Sequence, residues 1–465
     1  MKTLSLALRN LLRNRRRSLM TLLAMMMGLI AVLLFGGYIR NINYGLQTDF
    51  VQRSGHLQIQ HKDYFLYGSG NPGAYGIADY DRIIALLKKD EVLAPMLTVV
   101  TPTLQLGGIA GNFSANVSRT VLASGAVVED QNRMRQWNDY QFPTRPRTLT
   151  LTGTPSDTAV IGTGVARVLQ LCAPLAVPNC TSAAPKVEAQ GAALPSDIAE
   201  LAASGAADAP PASGTKLAHI EILAANAHGA PNVAGVNVLK AEYQGVKELD
   251  DVYVALHLSQ AQKLIFGAEP PQVTAIVLQL QHTAQMPAAR ARLEQILATS
   301  LKGEPLEIQD FEVLNPFYGQ ALKMFAAIFS FISVLIGAIV LFTVSNTMSM
   351  AVVERTAEIG TLRAMGLRRG GIRAMFVSEG IVIGVLGALL GIVAALLLAW
   401  VINHGGLTWT PPGRVEAVPL FVRIFGETRM LVGSAIGLVV VAALSAIWPA
   451  ARAARMNIVD ALRHV

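Results

Sequence analysis

The sequence predicts an integral membrane α-helical protein, with four transmembrane helices in a 1+3 arrangement and a large α+β extracytoplasmic domain between the first helix and the other three. Three observations carry that expectation. Four apolar runs are each long enough to cross roughly 30 Å of hydrocarbon, which takes about 20 helical residues. The stretch between the first two runs alternates strand-like and helix-like patterns, and the basic residues gather beside the apolar runs. Composition agrees: of 465 residues 52% are hydrophobic and 15% charged, against roughly a quarter charged in a soluble domain. So apolar a chain is not disordered, and it has no glycine triplet repeat of the collagen kind.

Residues 1–18 form a basic segment and 19–39 the first span. Arg13 and Arg15 to Arg17 ahead of an apolar run could also open a cleaved signal peptide. The run is too long for that, and Phe35 to Tyr38 (FGGY) offers no small-x-small cleavage site.

Residues 40–323 read as the α+β domain. Residues 55–60 look like a strand, 79–89 (DYDRIIALLKK) like an amphipathic helix and 97–106 like a strand. The order returns late, with strand 273–281, helix 288–299 and strand 306–313. The two β-α-β units are expected to form one split domain of ferredoxin-like kind. Short strand patterns between them, such as 117–123 and 252–258, predict a separate β-rich subdomain. Residues 172–216 are an Ala/Pro-rich insertion, expected to be mobile because its composition buries too little apolar surface to offset ordering, with a short helix near 196–203. Cys172 and Cys180 stand at its base, and outside the cytoplasm a disulfide is the natural reading. A metal site or two thiols is the alternative, and no His is close enough in sequence to favour metal.

The remaining spans are 324–353, 376–403 and 430–451, joined by a loop and helix at 354–375 and an outer loop at 404–429, with a basic end at 452–465. Buried core helices are the competing reading of such runs, but those are usually shorter. Gly380 with Gly384, Gly387 with Gly391, and Gly433 with Gly437 have the spacing that lets helices approach closely in lipid. Packing within the chain is favoured over a subunit interface. No Asp, Lys or Arg lies deep in a span, which disfavours ion-coupled transport.

Charge sets the orientation. Residues 1–17 carry a net +6, 354–373 a net +3 and 452–465 a net +2, so the rest of a chain of formal charge +7 carries −4. By the positive-inside tendency these three segments are cytoplasmic and 40–323 is outside. Arginines placed beside apolar spans serve topology and anionic headgroups rather than nucleic acid. Within these 465 residues there is no GxxxxGK[ST], HExxH or GxSxG, so no catalytic residue, metal or cofactor is expected. Isolated histidines such as His56, His61 and His219 are read as surface or strand-end residues.

The most informative stretch is 354–379, ERTAEIGTLRAMGLRRGGIRAMFVSE. Ile359, Leu362 and Met365 make an apolar stripe at helical spacing, Glu354 and Glu358 stand four apart, and Gly366 would end the helix. A solvated basic linker is the alternative. This stretch, the E-G-x-x-x-G entry to the third span and 448–463 (WPAARAARMNIVDALR) resemble the FtsX/MacB-type ABC permeases. Outside, 160–169 (VIGTGVARVL) is similar to that family's IGxGLAxxL element. Residues 245–251 (GVKELDD) and 259–262 (SQAQ) resemble the GxxELD and DAQ segments of its lipoprotein-releasing LolC/LolE-like members.

The resemblance implies porter-like β-α-β units with a β-rich subdomain, in the bacterial inner membrane with both termini cytoplasmic and the large domain periplasmic. It implies two copies of a separate ABC ATPase that binds the ATP-Mg, a second permease copy or paralogue, membrane lipids, and a lipoprotein or other periplasmic partner. Carried over by position, Glu354, Arg355, Glu358, Ile359, Leu362 and Arg363 are the expected ATPase-coupling residues. The implied function is a permease of mechanotransmission type handling a lipoprotein, lipid or hydrophobic cargo. The alternatives are a MacB-like efflux permease and an FtsX-like regulator of a cell-wall hydrolase. Residues 172–216 depart from the family pattern.

Overall fold

The computed structural model describes residues 15–142, 148–178, 180, 218–245, 247–410 and 417–457. In chain order come α1 (Arg15–Ser54), β1 (Leu57–His61), α2 (Tyr80–Lys89), β2 (Leu97–Asn112), β3 (Val117–Ala126), α3 (Val128–Arg135), β4 (Thr158–Gly162), α4 (Thr163–Val168), β5 (Ala218–Ala225) and β6 (Pro231–Glu242). Then follow β7 (Tyr253–His257), α5 (Leu258–Phe266), β8 (Ala275–Leu280), α6 (Met286–Thr299), β9 (Leu306–Asp310), α7 (Pro316–Glu354), α8 (Thr356–Ala364), α9 (Arg369–His404) and α10 (Thr428–Arg455). The described residues fall into two compact units, an α+β unit over Gln47–Pro316 and a helical unit over the rest.

In the α+β unit the two β-α-β patterns interleave. Strands β9, β1, β8 and β2 lie side by side, every neighbour antiparallel, the order expected of a split ferredoxin-like arrangement. Helices α2 and α6 are its crossovers. Beyond the end of α2, Asp90 accepts hydrogen bonds from Arg292 of α6, Nη2 to Oδ2 at 2.8 Å, and from the Leu93 N–H at 2.8 Å. The Arg292 hydrogen bond holds the Asp90 carboxyl below its ordinary range.

The β-rich part shares one sheet with the ferredoxin-like part. Strand β2 is 16 residues long, pairing with β8 over its first half and with β3 from Thr103 to Asn112. It thereby joins all nine strands into one sheet, ordered β3-β7-β4-β6-β5-β2-β8-β1-β9, and one core runs from Leu57 and Ile276 to Ile161 and Leu256. Cys172 and Cys180 are bonded to each other, with Cα atoms 5.6 Å apart. The predicted mobile insertion and its short helix, beyond Cys180, lie outside the described residues.

Helix α1 continues well past Ile39, and its last turns belong to the α+β unit. Gln279 of β8 donates to the Val51 carbonyl at 3.2 Å and to the Met134 carbonyl at 2.9 Å, and Gln52 donates to the Trp137 carbonyl at 2.7 Å. His56 is a strand-end residue as expected, but it is fully buried, which corrects the surface reading. Its Nδ1 accepts the Leu280 N–H at 3.0 Å and its Nε2 lies 3.2 Å from Thr283 Oγ1, with Trp137 packed edge-on. A ring nitrogen that accepts from a backbone N–H is unprotonated, so the ring is neutral. Burial pushes its pKa down to about 4, with Asp139 pulling weakly the other way.

In the helical unit four helices are long and apolar enough to cross a membrane, by length and composition. Met25, Leu29 and Leu33 of α1 pack with Val340 and Val344 of α7, Ile383 and Ala395 of α9, and Ala442 and Ala446 of α10. A Cβ on Gly380 would stand 2.9 Å from the Ala446 Cβ, and one on Gly384 3.0 Å from the Ala442 Cβ. A Cβ on Gly387 or Gly391 would meet Met25 or Leu29 at 3.2 and 2.9 Å. These four glycines thus set how closely α9 approaches its neighbours. Gly433 and Gly437 correct the expectation drawn from identical spacing, since a Cβ at either would have nothing within 4 Å.

Candidate functional site

Helix α8 is a nine-residue segment between two long helices. One residue, Arg355, separates it from α7, with φ −106° and ψ 18°. Its end is set by Gly366 at φ +94°, a left-handed position that costs glycine little, where Leu367 N–H reaches back to the Leu362 carbonyl at 3.1 Å.

The six residues expected to couple to an ATPase divide by face. Glu354 and Glu358 are exposed. Leu362 is half-buried against a cluster in which Ile359, 1% exposed, packs with Val352, Ile372, Phe376, Ala450 and Ala453. Arg363 is half-buried, its Nη1 donating to the Met456 carbonyl just past the end of α10. Arg355 is 4% exposed. Arg355 and Ile359 are thus turned into the bundle, because the apolar stripe that makes α8 a helix also carries these two side chains inward.

The Arg355 partner is one the sequence reading missed. Nη1 donates to both carboxylate oxygens of Glu379, at 3.4 and 3.3 Å, and Glu379 on α9 is also 4% exposed. Beside the pair is a cavity with space for a water molecule, lined by Ser18 and Thr21 of α1, Thr347 and Ala351 of α7, and Ile383 of α9. Arg355 Nε has no hydrogen-bond partner among the described residues. Burying two charges costs several kcal/mol each, repaid only by their mutual attraction and hydrogen bonds. A signal was present in the sequence: Arg355 stands four and seven residues before Ile359 and Leu362, on the buried stripe, and a charge there needs a partner.

In the α+β unit two of the resembling segments meet. The Asp250 carboxylate, 3% exposed, accepts the N–H groups of Thr163 at 2.9 Å, Gly164 at 2.8 Å and Gln244 at 3.2 Å, and the Thr163 hydroxyl. It thereby satisfies the open amides at the start of α4, where a helix end favours an anion. A Cβ on Gly162 or Gly164 would overlap the 250–251 backbone. The GTG and ELD segments are thus a structural clasp. Among the described residues no group of three or more His, Cys, Asp or Glu could hold a metal.

With this geometry in view, comparison with known proteins identifies the helical unit. Residues 327–458, from α7 to just past α10, match the FtsX-like permease C-terminal family. The helical unit carries an FtsX-like permease domain. It is 25% identical over 244 residues to the lipoprotein-releasing system transmembrane protein LolC of Neisseria meningitidis serogroup B, covering 50% of this chain and 56% of that one. To the macrolide export ATP-binding/permease protein MacB of Bdellovibrio bacteriovorus it is 26% identical over 230 residues, 47% of this chain and 32% of that one. To the pyoverdine export ATP-binding/permease protein PvdT of Pseudomonas entomophila it is 27% identical over 238 residues, 50% and 33% of the two chains. The chain thus spans about half or less of the length of these curated relatives. A likeness to the extracellular domain of the transporter YknZ, at 14% identity and a TM-score of 0.27 over 55% of this chain and 100% of that one, is too low to carry weight.

Proposed function

We propose that this chain is the permease subunit of an ABC transporter, in which a separate ATPase, acting as two copies on a pair of permeases, presses on α8 from the cytoplasm. The observation that carries the reading is the mounting of α8. Its face with Glu358 is exposed, as is Glu354 at the end of α7, and the helix is tied at its start through Arg355 to α9 and near its end through Arg363 to the chain beyond α10. A push on the exposed face therefore moves α9 and α10 as well as α7. The basic ends beside the spans support a reading with α8 and both termini in the cytoplasm and the α+β unit outside. A mechanical role suits helices seated on glycines, with Arg355 and Glu379 the charged pair buried among them.

The relatives support two readings of the cargo class. A lipoprotein or other hydrophobic molecule taken at the outer face of the inner membrane is the first reading, supported by the LolC likeness and the Asp250 clasp built from LolC/LolE-like segments. Export of a small molecule is the second, supported by the names of MacB and PvdT. The test is Glu358→Lys in the full chain, which reverses charge on the exposed face and leaves the buried face untouched. It is expected to lower ATPase co-purification and ATP-dependent cargo movement at least tenfold. Unchanged co-purification and movement would remove α8 as the coupling element.

A further inference from the structure

Resting on the reading of α8 as the element an ATPase moves, we propose that Arg355 and Glu379 are positioning residues, a buried ionic joint that makes α9 follow α8. The placement of Arg355 carries this. It is the single residue between α7 and α8, so any change in the angle between them passes through its backbone. Its side chain is anchored on a different helix, 24 residues along the chain. Ile359 could follow a tilt of α8 by sliding on Phe376 and Ala450, because apolar contact has no directional preference. A guanidinium facing a carboxylate in a low-dielectric site cannot slide in this way, because separation leaves the buried guanidinium uncompensated. The joint also has room to work. Its contacts of 3.3 and 3.4 Å are longer than the 2.7–2.9 Å typical of charged pairs, the Arg355 Nε is unpartnered, and the adjoining cavity reaches α1 through Ser18 and Thr21. The two side chains can turn into that space as a pair, so the link persists and α9 is drawn along as α8 tilts.

The test uses the full chain purified with its ATPase and carrying spin labels at Ala364→Cys on α8 and Leu389→Cys on α9, both exposed. Three variants are compared: R355K, the exchanged pair R355E/E379R, and the apolar pair R355M/E379L. The apolar pair removes both charges together and so avoids a lone buried charge, the main route to misfolding here. The expected result is an apolar-pair complex that assembles and hydrolyses ATP within about twofold of the parent. Its ATP-driven change in label distance falls at least threefold and its cargo movement at least tenfold, with R355K and the exchanged pair recovering part of both. A purely structural pair would leave the distance change intact in the apolar variant, and that result overturns the proposal. Failure of all three variants to fold also overturns it, by making the pair a folding requirement rather than a joint. If the unsubstituted chain retains no ABC ATPase, the proposed function itself fails, whatever the variants do.

Discussion

Removing the Asp250 carboxylate should weaken the α+β unit in a way that its place in the sequence, one of three acids in the KELDD run at 247–251, would not indicate. Asp250→Ala leaves the Thr163, Gly164 and Gln244 N–H groups without their acceptor in a site where the side chain is 3% exposed. Loss of a helix cap costs about 0.5–2 kcal/mol, and a buried donor left unpaired about 1–3 kcal/mol. Some of these amides will find water once the carboxylate is gone, so the combined loss is about 3 kcal/mol. For a domain of this size that corresponds to a fall of roughly 6–12 °C in Tm. Asp250→Asn keeps one side-chain oxygen and loses the charge, and should fall about half as far. Scanning fluorimetry of the full chain in detergent, with all variants at one protein concentration, reads both. An Asp250→Ala chain melting within about 1 °C of the parent would refute the clasp as a stabilising element.

The other predictions concern the buried histidine, the packed face of α8 and the helix contacts. The His56 folded-state pKa of about 4 lies below the ordinary 6.5, so its stability contribution is complete above pH 6.5 and is lost as pH falls from 6.5 toward 4. At pH 5 the loss is about 2 kcal/mol, and His56→Gln should flatten that part of the pH profile in an unfolding titration. Ile359→Ala opens a cavity under α8 and should cost about 2–5 kcal/mol, whereas Glu358→Ala on the exposed face should change Tm by less than about 1 °C. Gly384→Leu forces a side chain into space already held by Ala442 and Val439 and should abolish membrane accumulation of the folded chain. Gly437→Leu, with nothing within 4 Å, should be tolerated, as immunoblots of membrane fractions would reveal.

Patterns that repeat along the chain were readable, and pairings across it were not. The spans and the two β-α-β units follow from local periodicity, because burial of one helix face or alternate strand residues imposes a period on the sequence itself. The single nine-stranded sheet follows from β2 running on to Asn112, where Gly107, Gly108 and Gly111 weaken the strand pattern although the backbone pairs throughout with β3. Gly433 and Gly437 carry the same spacing as Gly380 and Gly384, yet one pair packs and the other does not. Spacing states that a close approach is possible and leaves open what approaches. Arg355 is the clearest case. Its place on the stripe with Ile359 and Leu362 marked it for burial, but Glu379, 24 residues on, became its partner only when α7 and α9 were brought together.

The coupling role of α8 rests most directly on whether an ATPase touches its exposed face and leaves the buried face alone. Cysteine cross-linking of the full chain with its ATPase, placing the reactive residue in turn at Glu358, Ile359 and Phe331, measures this. Glu358→Cys should give a cross-link to the ATPase whose yield changes severalfold on adding ATP, with none from Ile359→Cys or from Phe331→Cys on the exposed flank of α7. Equal yields at all three positions, or none at Glu358→Cys while the ATPase still co-purifies, would contradict it.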